Sequence, residues 1–483
     1  MKKEQSAFNP FLPSYEYIPD AEPYVFDDRV YIYGSHDKFN GKGFCLNDYV
    51  SWSAPINDLG DWRFEGRILD RMIDPNINNE SMHVAAPDVQ KGLDGRFYLY
   101  YFYAFDKYIS VAVCDEPAGE YKFYGEVHYP NGEKLGASNK DPLMFDPAIF
   151  IDDDGKVYLY VGFAPKPITR LYLLGKGKME GGYVVELEQD MITVKRPPKP
   201  VLPRRKKANK TPFENHEFFE ASSMRKINGR YYYIYSSDQN HELCYAVGEH
   251  PTGPFSYGGT LVSNADIGYE GRKKKDALNY YGNNHGSIVN VKDKWYIFYH
   301  RQTNRHEYSR QACAEKITIN PDGSIDQVEM TSCGLNNGPL PGKGTYSSHI
   351  ACNLFGKRRT GSYSPLLIFK FYWFHPYFTQ SGVDREDNPD QHIANMRNGS
   401  VAGFKYFSFM NTTRIGLEIG GKASGEIQVF TNLDEPPITT LTMKITGQKT
   451  KVNSSFEALN GVHPIYIKFI GKGYIDFYSF ELD

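Results

Sequence analysis

The sequence has few cysteines and a net charge close to zero. The first feature argues against a metal or disulfide framework, and the second against a strongly charged partner. The six cysteines of the 483-residue chain form no CxxC pair. Their spacing therefore predicts neither a zinc site nor a dense disulfide framework, and we expect reduced thiols. Lysine plus arginine (55) nearly balance aspartate plus glutamate (58), giving a net charge of -3. That balance argues against a nucleic-acid partner or an anionic membrane surface.

Long apolar segments and helical periodicity are also lacking. The N-terminal residues 1–17 contain no apolar stretch of the signal-peptide type. The apolar run 366–378 is too short for a membrane span and is interrupted by Lys370 and His375. We therefore expect a cytoplasmic protein, unless a leader was removed, with no membrane partner. The many Tyr and Phe residues favour strands over helices.

The sequence instead contains one short sequence repeat that occurs five times. Each copy has a polar lead-in, a tight turn and a run rich in Tyr and Phe; the copies are 22–33, 86–100, 146–160, 220–235 and 285–299. Self-similarity at a period of roughly 60–75 residues is typical of a radial β architecture, in which each repeat forms one multi-stranded blade. The sequence therefore predicts an all-β fold that begins with a five-bladed β-propeller.

The turn within each copy carries a hairpin signal. Three copies use an Asp-Gly or Asn-Gly dipeptide, at 94–95, 154–155 and 228–229. Such dipeptides tolerate the positive φ values of a type I′ turn. The first and last copies have Asp28-Arg29 and Asp293-Lys294 at this place. Their hairpins are therefore predicted only by the alternation of apolar and polar residues in the flanking segments.

The repeats end after Arg301, and a second domain follows. The Gly-, Pro- and Asn-rich stretch 334–344 is the best candidate for a domain boundary. We expect a catalytic propeller over residues 1–333 and a separable domain over residues 345–483. Short strands at regular spacing in the second domain favour a β-sandwich of the jelly-roll type. They are predicted at Ala402–Met410, Thr413–Ile419, Gly425–Thr431, Thr439–Ile445, Pro464–Phe469 and Tyr474–Glu481.

Three carboxylates stand at the starts of the first, third and fourth copies: Asp20, Asp146 and Glu220. The first strand of a propeller blade lines the central channel, so we expect these side chains to meet near the axis. Carboxyl groups around a cleft can divide the work of glycoside hydrolysis with inversion. One acts as general base on water and one protonates the leaving oxygen. A third can raise the pKa of the acid through like-charge proximity.

Several segments together resemble glycoside hydrolase family 43 over about residues 9 to 330. They are the Asn9-Pro10 start, Asp146-Pro147-Ala148-Ile149-Phe150, Glu220-Ala221-Ser222-Ser223 and His285-Gly286-Ser287-Ile288-Val289. The family's members are five-bladed propellers that act with inversion. The resemblance implies that Asp20 is the general base, Asp146 the pKa modulator and Glu220 the general acid. Many members have Asp directly before Pro at the base, whereas here Glu22 precedes Pro23. The number of residues between this position and Tyr31 in the aromatic run favours Asp20 as the base, and Glu22 is the alternative.

The same resemblance assigns further residues. Arg301 matches an arginine that reaches the terminal sugar, and Asp37 and Asp88 are candidates for pocket or structural roles. His285 opens the fifth copy and stands where the family often has a central calcium or a water cluster. Because calcium prefers oxygen ligands, a channel histidine without a metal is an equal alternative. No cofactor is expected for the chemistry itself.

The C-terminal domain resembles a family 6 carbohydrate-binding module in the segments 461–467 and 471–480. Such modules stack sugars on exposed aromatic side chains, for which Phe404, Tyr406 and Phe407 are candidates. The acidic loop 384–390 lacks the glycine spacing of an EF-hand but has oxygen ligands for calcium. A domain that packs on the propeller and binds no sugar is the alternative.

The resemblance favours an exo-acting hydrolase of plant cell-wall pentosides, a β-xylosidase, an α-L-arabinofuranosidase or both, acting on xylo- or arabino-oligosaccharides. Within the family, an endo-arabinanase or a β-galactosidase-like specificity are the alternatives. From other classes, a catalytically inactive sugar-binding propeller and a propeller-type interaction scaffold remain. The acid trio argues against both of these. The oligomeric state is not predicted.

Overall fold

A computed structural model describes residues 7–75, 82–104, 106–173, 176–363, 374–386 and 390–483. Five antiparallel sheets follow one another along the chain and form the predicted five-bladed β-propeller. Four blades have four strands and the fifth has three. The strands are β1 (Glu22–Phe26), β2 (Arg29–Tyr33), β3 (Tyr49–Pro55), β4 (Arg63–Leu69), β5 (Val84–Lys91), β6 (Phe97–Tyr103), β7 (Ile109–Cys114), β8 (Lys122–Glu126), β9 (Ala148–Ile151), β10 (Val157–Val161), β11 (Gly181–Leu187), β12 (Val194–Pro203), β13 (Phe218–Ile227), β14 (Arg230–Ser237), β15 (Glu242–Gly248), β16 (Phe255–Ser263), β17 (Ile288–Val291), β18 (Lys294–Gln302) and β19 (Arg310–Ile317).

Helix is a minor component of the described residues. Two short α-helices lie in loops of the propeller, α1 (Pro167–Tyr172) and α2 (Arg205–Ala208). Single 3₁₀ turns occur at Tyr269–Gly271, Lys274–Asp276 and Ser348–Ile350. No helix within the described ranges is long and apolar enough to cross a membrane.

The first strand of each blade lies innermost, so that β1, β5, β9, β13 and β17 surround the channel. A bridge between Ala21 and Gly286 joins the first blade to the fifth. The N-terminal segment completes this closure through one side chain. Asn9 Nδ2 donates to Ala314 O and Asn9 Oδ1 accepts from Ala314 N, both at 2.9 Å. The amide thus pairs with β19 as a neighbouring strand would, which satisfies its buried polar groups.

The predicted hairpins form with two differences: residues 92–96 and 152–156 connect their strands over five residues rather than through a two-residue turn, and the turns of the first and last copies are shifted by one residue. Gly95, Gly155 and Gly229 have φ of +87°, +78° and +81°, the left-handed conformation that glycine adopts without strain. Where glycine is absent, the two-residue turns are 27–28 and 292–293, because Arg29 and Lys294 already belong to strands. The turn therefore falls one residue earlier than the dipeptides predicted.

The C-terminal domain is β-rich and consistent with a β-sandwich. Its strands are β20 (Leu340–Pro341), β21 (Gly344–Ser347), β22 (Asn353–Phe355), β23 (Tyr377–Gln380), β24 (Gln391–Met396), β25 (Val401–Phe430) and β26 (Thr439–Leu482). The six predicted strands run together in the last two, because residues 415–429 pair on both sides with different parts of β26. Residues 364–373, which include most of the apolar run 366–378, and residues 387–389 of the acidic loop lie outside the described residues.

The candidate sugar-stacking aromatics are not exposed. Phe404 and Phe407 have no accessible surface and belong to the apolar core of this domain. Tyr406 lies at the boundary with the propeller, where its hydroxyl donates to Glu329 at 2.8 Å. Alternation along β25 cannot separate core from surface here, since its backbone is irregular between Phe404 and Phe407. Phe404 and Phe407 are therefore core residues and cannot stack on a sugar, and the half-buried Tyr406 is engaged with the propeller.

Buried polar contacts join the two domains. Lys405, 3% exposed in its side chain, donates to Glu329 of the propeller at 2.6 Å. Arg301 donates to Ala351 O at 3.1 Å, and its guanidinium stacks on the Phe378 ring at 3.9 Å. A charged group that stays buried after losing such a partner is strongly destabilising. The domains therefore share a packed interface in addition to the chain that links them.

Candidate active site

The three predicted acids lie close together at one end of the channel, which we call the mouth. Asp20 lies just before β1 and Asp146 just before β9, with φ of +59° and +47°. Both residues are 5% exposed. The left-handed conformation costs a non-glycine residue of the order of 1 kcal/mol or more, and such strain concentrates at functional sites.

Glu220 lies at the same site but at a different position along the inner strand of its blade. Asp20 and Asp146 each lie two residues before the first paired residue of the inner strand, Glu22 or Ala148. The corresponding position in blade 4 is Ala221, with φ of +65°. Glu220 is one residue earlier. The prediction that the three acids occupy equivalent positions in their blades is therefore wrong for Glu220. A β-bulge inserts an extra residue between Glu220 and Ser223 and turns the Glu220 side chain towards the mouth.

Direct contacts link the blades at this point. Ala221 N donates to Asp146 Oδ2 at 2.9 Å, which ties Asp146 to the strand that carries Glu220. His285 Nδ1 lies 3.7 Å from Asp146 Oδ2 and 3.8 Å from Asp20 Oδ1. The site is thus assembled from blades 1, 3, 4 and 5.

Arg310 holds Asp20 in its ionised state. Burial is the largest single effect and acts to raise the pKa of Asp20; it is opposed first by the charge of Arg310, whose Nη1 donates to Asp20 Oδ1 at 2.9 Å. With smaller contributions from His285 and His300, the pKa of Asp20 falls below its usual value. His300 Nδ1 accepts from the Asp20 backbone N–H at 3.3 Å, while its Nε2 lies 2.8 Å from Asn283 O and donates to it.

The other two acids are shifted in the opposite direction. Burial, and then the charge of Asp20, raise the pKa of Asp146 well above its usual value. Burial, followed by Asp146 and Asp20, does the same for Glu220. Glu220 is partly exposed at the mouth, whereas Asp146 is enclosed. One site therefore holds one carboxyl group whose pKa is lowered and another whose pKa is raised, the opposite shifts that a general base and a general acid need.

Asp37 and Asp88 lie near this site but serve the fold. Asp37 Oδ2 accepts from Arg310 Nε at 2.8 Å, and Oδ1 accepts from Arg310 Nη2 and Cys45 N, both at 3.0 Å. Asp88 accepts from the Tyr24 hydroxyl and from the backbone N–H groups of Val89 and Ile149, at 2.7–2.8 Å. Both carboxylates are at most 1% exposed. Protein donors occupy their oxygens, which favours the structural role among the two predicted alternatives over contact with a sugar.

Arg301 also lies away from the acids. Its guanidinium donates to Gln311 Oε1 at 2.8 Å and to Ala351 O, and it faces Phe378 of the C-terminal domain. The arginine that reaches the acids is Arg310. The sequence gives no signal for this difference, because only the β18–β19 register decides which arginine faces Asp20.

Two more residues of the mouth were missed by the sequence reasoning. Phe44, 39% exposed, lies over the Arg310 guanidinium with 4.9 Å between the ring centroid and the guanidinium carbon. Glu307, in the β18–β19 loop, accepts a long hydrogen bond of 3.5 Å from Asn240 Nδ2. Burial raises the pKa of Glu307 to about 7. Neither residue belongs to the sequence repeat, so the repeat could not predict their place at the site.

His285 and Glu22 form a second polar pair deeper in the channel. His285 Nε2 lies 3.9 Å from Glu22 Oε1, a buried oxygen with no hydrogen-bond partner among the described residues. Glu22 Oε2 accepts from Arg225 at 2.8 Å. Burial raises the pKa of Glu22 to about 8 and lowers that of His285 to about 4. The space between them could hold a water or a cation, but the pair offers only one oxygen and one nitrogen, so water would have to supply most of a calcium shell.

Comparisons with known proteins agree with this geometry. The sequence model described as "Glycosyl hydrolases family 43" matches residues 9–325. A protein of Thermoclostridium stercorarium named "Xylosidase/arabinosidase" is 46% identical over 486 aligned residues, covering 100% of this chain and 99% of that protein.

Two solved structures are also similar. One is a family 43 β-xylosidase/α-arabinofuranosidase from a compost metagenome, in complex with xylotriose and in a calcium-free form. It has a TM-score of 0.53 and 29% identity, and the match covers 67% of this chain and 98% of that one. The other, an arabinoxylan arabinofuranohydrolase of Bacillus subtilis with cellotetraose, has a TM-score of 0.51 at 23% identity. It covers 98% of this chain and 97% of that one, which supports the fold over the full length.

Proposed function

Because the chain belongs to family 43 of the glycosyl hydrolases, we propose that it is an inverting exo-glycosidase that releases terminal xylose or arabinose from (arabino)xylan oligosaccharides. The observation that carries the proposal is the opposite pKa shift of two carboxyl groups at one channel mouth. The full-length relative named a xylosidase/arabinosidase supports the choice of sugars.

The mechanism uses three carboxyl groups in separate roles. Asp20, kept ionised by Arg310, takes a proton from the water that attacks the anomeric carbon. Glu220, kept protonated, donates its proton to the glycosidic oxygen as the carbon–oxygen bond breaks. Asp146 accepts from the backbone next to Glu220 and raises the pKa of that acid by its proximity. Solvent then returns each group to its starting state, so no cofactor is needed for hydrolysis.

The wall of the mouth suits a sugar. Phe44 offers an exposed aromatic face beside the Arg310–Asp20 pair, and sugars stack on such faces through their apolar C–H groups. Glu307 and Asn240 supply an acceptor and a donor on the opposite loops. A xylopyranose and an arabinofuranose present similar hydroxyl groups to such a pocket, which is the basis for proposing activity on both.

A calcium ion, if bound, would be held by His285 Nε2 and Glu22 Oε1, with water completing its oxygen shell. It would supply a fixed positive charge below the acids. In this proposal the protein side chains alone carry both proton transfers, and the ion has a structural role.

Sugar binding by the C-terminal domain, in the manner of a family 6 carbohydrate-binding module, is also a proposal. It rests on the resemblance of the segments 461–467 and 471–480. Retention of the intact protein on an insoluble xylan column tests it, with elution by xylo-oligosaccharide expected. Elution in the void volume would favour the alternative, a domain that only packs on the propeller.

A panel of substrates tests the proposed activity. We expect turnover of 4-nitrophenyl β-D-xylopyranoside and 4-nitrophenyl α-L-arabinofuranoside, and release of single xylose units from xylotriose. Internal cleavage of linear arabinan without release from these glycosides would favour the endo-arabinanase alternative. Turnover of a galactoside alone would favour the β-galactosidase alternative. Sugar binding without turnover of any substrate would indicate an inactive propeller.

A further inference from the structure

A second cluster of chemically active side chains lies in blade 4, outside the acid site. His216 Nδ1 lies 2.8 Å from Glu242 Oε1 and 4.0 Å from Cys244 Sγ. One ligand atom from each of the three residues lies within 4.8 Å of the others. Within the described part of the chain, this is the one group of three such side chains that meets this distance limit.

The separations suit a single small cation. Zinc binds Cys sulfur at about 2.3 Å, His nitrogen at about 2.0–2.1 Å and carboxylate oxygen at about 2.0–2.2 Å. Ligand atoms around one such ion therefore lie roughly 3–4 Å apart. The His216–Cys244 separation of 4.0 Å lies in this range, the His216–Glu242 separation of 2.8 Å would have to open slightly, and all three atoms lie within 4.8 Å of one another. A sulfur, an imidazole nitrogen and a carboxylate oxygen together favour zinc and similar transition metals over calcium or magnesium.

The surroundings fix the three side chains and leave a route to them. The His216 ring stacks on Tyr257 with centroids 4.8 Å apart, and its backbone carbonyl accepts from the Tyr235 hydroxyl at 2.7 Å. Thr260 Oγ1 donates to Glu242 Oε2 at 3.1 Å. Such supporting contacts orient ligands before a metal binds. Cys244 is fully buried, but the His216 side chain is 33% exposed and opens the cluster to solvent.

We propose that His216, Glu242 and Cys244 form a binding site for one divalent transition metal of the zinc class. On binding, Cys244 loses its proton to solvent, the hydrogen bond between His216 and Glu242 is replaced by two metal–ligand bonds, and water or Thr260 fills the remaining position. The ion joins the segment before β13 to β15. His216 lies four residues before Glu220, so the ion would stiffen the start of the strand that carries the proposed acid.

The cysteine spacing of the sequence does not predict this site. The three ligands come from two regions of the chain, before β13 and within β15, and only the strand pairing of blade 4 brings them together. A hydrogen-bonded network without metal is the competing explanation, since Ser237 Oγ also donates to Glu242 Oε1 at 2.5 Å.

Metal titration of the full-length protein distinguishes the two. After treatment with a chelator and its removal, the protein should bind one equivalent of Co²⁺ with a thiolate-to-cobalt charge-transfer band. Zn²⁺ should abolish that band stoichiometrically and raise the melting temperature by mass action. Cys244→Ser should lose the band. His216→Gln, at a half-exposed position that tolerates substitution better, should weaken zinc binding at least about 100-fold.

Two matched variants serve as controls. Cys114→Ser removes a partly buried thiol in blade 2, and His250→Gln removes an exposed imidazole at the far end of blade 4. Both should bind zinc as the wild type does. Absence of the band in the wild type, or zinc binding that survives both Cys244→Ser and His216→Gln unchanged, would overturn the proposal. The readouts do not use catalysis, so they stand or fall independently of the proposed activity.

Discussion

Arg310 Nη1 donates a hydrogen bond of 2.9 Å to Asp20 Oδ1, and the rest of the same guanidinium is held by Asp37. Arg310 and Asp37 are both at most 2% exposed. The fork geometry of arginine suits two carboxylates at once, which a lysine does not match. Asp37 thus orients Arg310, and Arg310 helps to lower the pKa of Asp20, as its proposed role as base requires.

Loss of this cation should shift the acidic limb of the pH profile. Asp20 must be ionised to act as base, and a neighbouring arginine lowers a carboxyl pKa by about 1–3 units. Arg310→Met should therefore move the lower pKa of the kcat/KM profile upwards by about that amount. Arg310→Lys should give a smaller shift. The pH dependence on 4-nitrophenyl xyloside measures this, with circular dichroism to verify the fold. An unchanged acidic limb in a folded Arg310→Met protein would contradict the pairing.

Removal of the proposed acid should affect substrates according to their leaving groups. General acid assistance contributes about 10²–10⁴-fold, and only poor leaving groups need it. Glu220→Ala should slow xylobiose hydrolysis by about this factor and a dinitrophenyl xyloside far less. Glu249→Ala, at an exposed site at the opposite end of blade 4, is the matched control. An equal loss on both substrates would refute the assignment.

The choice between Asp20 and Glu22 as base can be made by two substitutions. Asp20→Ala should abolish turnover and leave the fold intact. Glu22→Gln should retain measurable turnover, because Glu22 pairs with Arg225 and faces His285 below the acids. Steady-state kinetics on a nitrophenyl pentoside give the answer. An active Asp20→Ala protein beside an inactive Glu22→Gln protein would place the base two residues later.

The packed interface predicts that the domains depend on each other. Phe378 is 8% exposed and covers the Arg301 guanidinium, so Phe378→Ala should destabilise the protein by about 3–5 kcal/mol. Leu93→Ala, at a site 59% exposed on blade 2, should change stability little. A chain ending at Gly338 should not yield a folded, fully active propeller. Such a propeller, stable alone, would show that the domains are separable, as the sequence suggested.

The sequence predicted the parts of the fold that depend on local signals. The turn glycines Gly95, Gly155 and Gly229 and the aromatic runs after them define the blades without knowledge of the pairing. The offset of Glu220 could not be predicted, because a bulge is a property of two paired strands. Arg301 was preferred to Arg310 for the same reason, since Arg310 pairs with Gln302 only in the folded register. The cytoplasmic location and the domain boundaries stay predictions.

The stereochemistry of the product tests the central claim most directly. In the proposed mechanism, Asp20 activates water and Glu220 protonates the leaving oxygen, which gives a single displacement at the anomeric carbon. Proton NMR spectra recorded during the first minutes of hydrolysis of a β-xyloside should show α-xylose forming before mutarotation produces the β-anomer. Initial accumulation of β-xylose would demonstrate retention and contradict the assigned roles of both carboxyl groups.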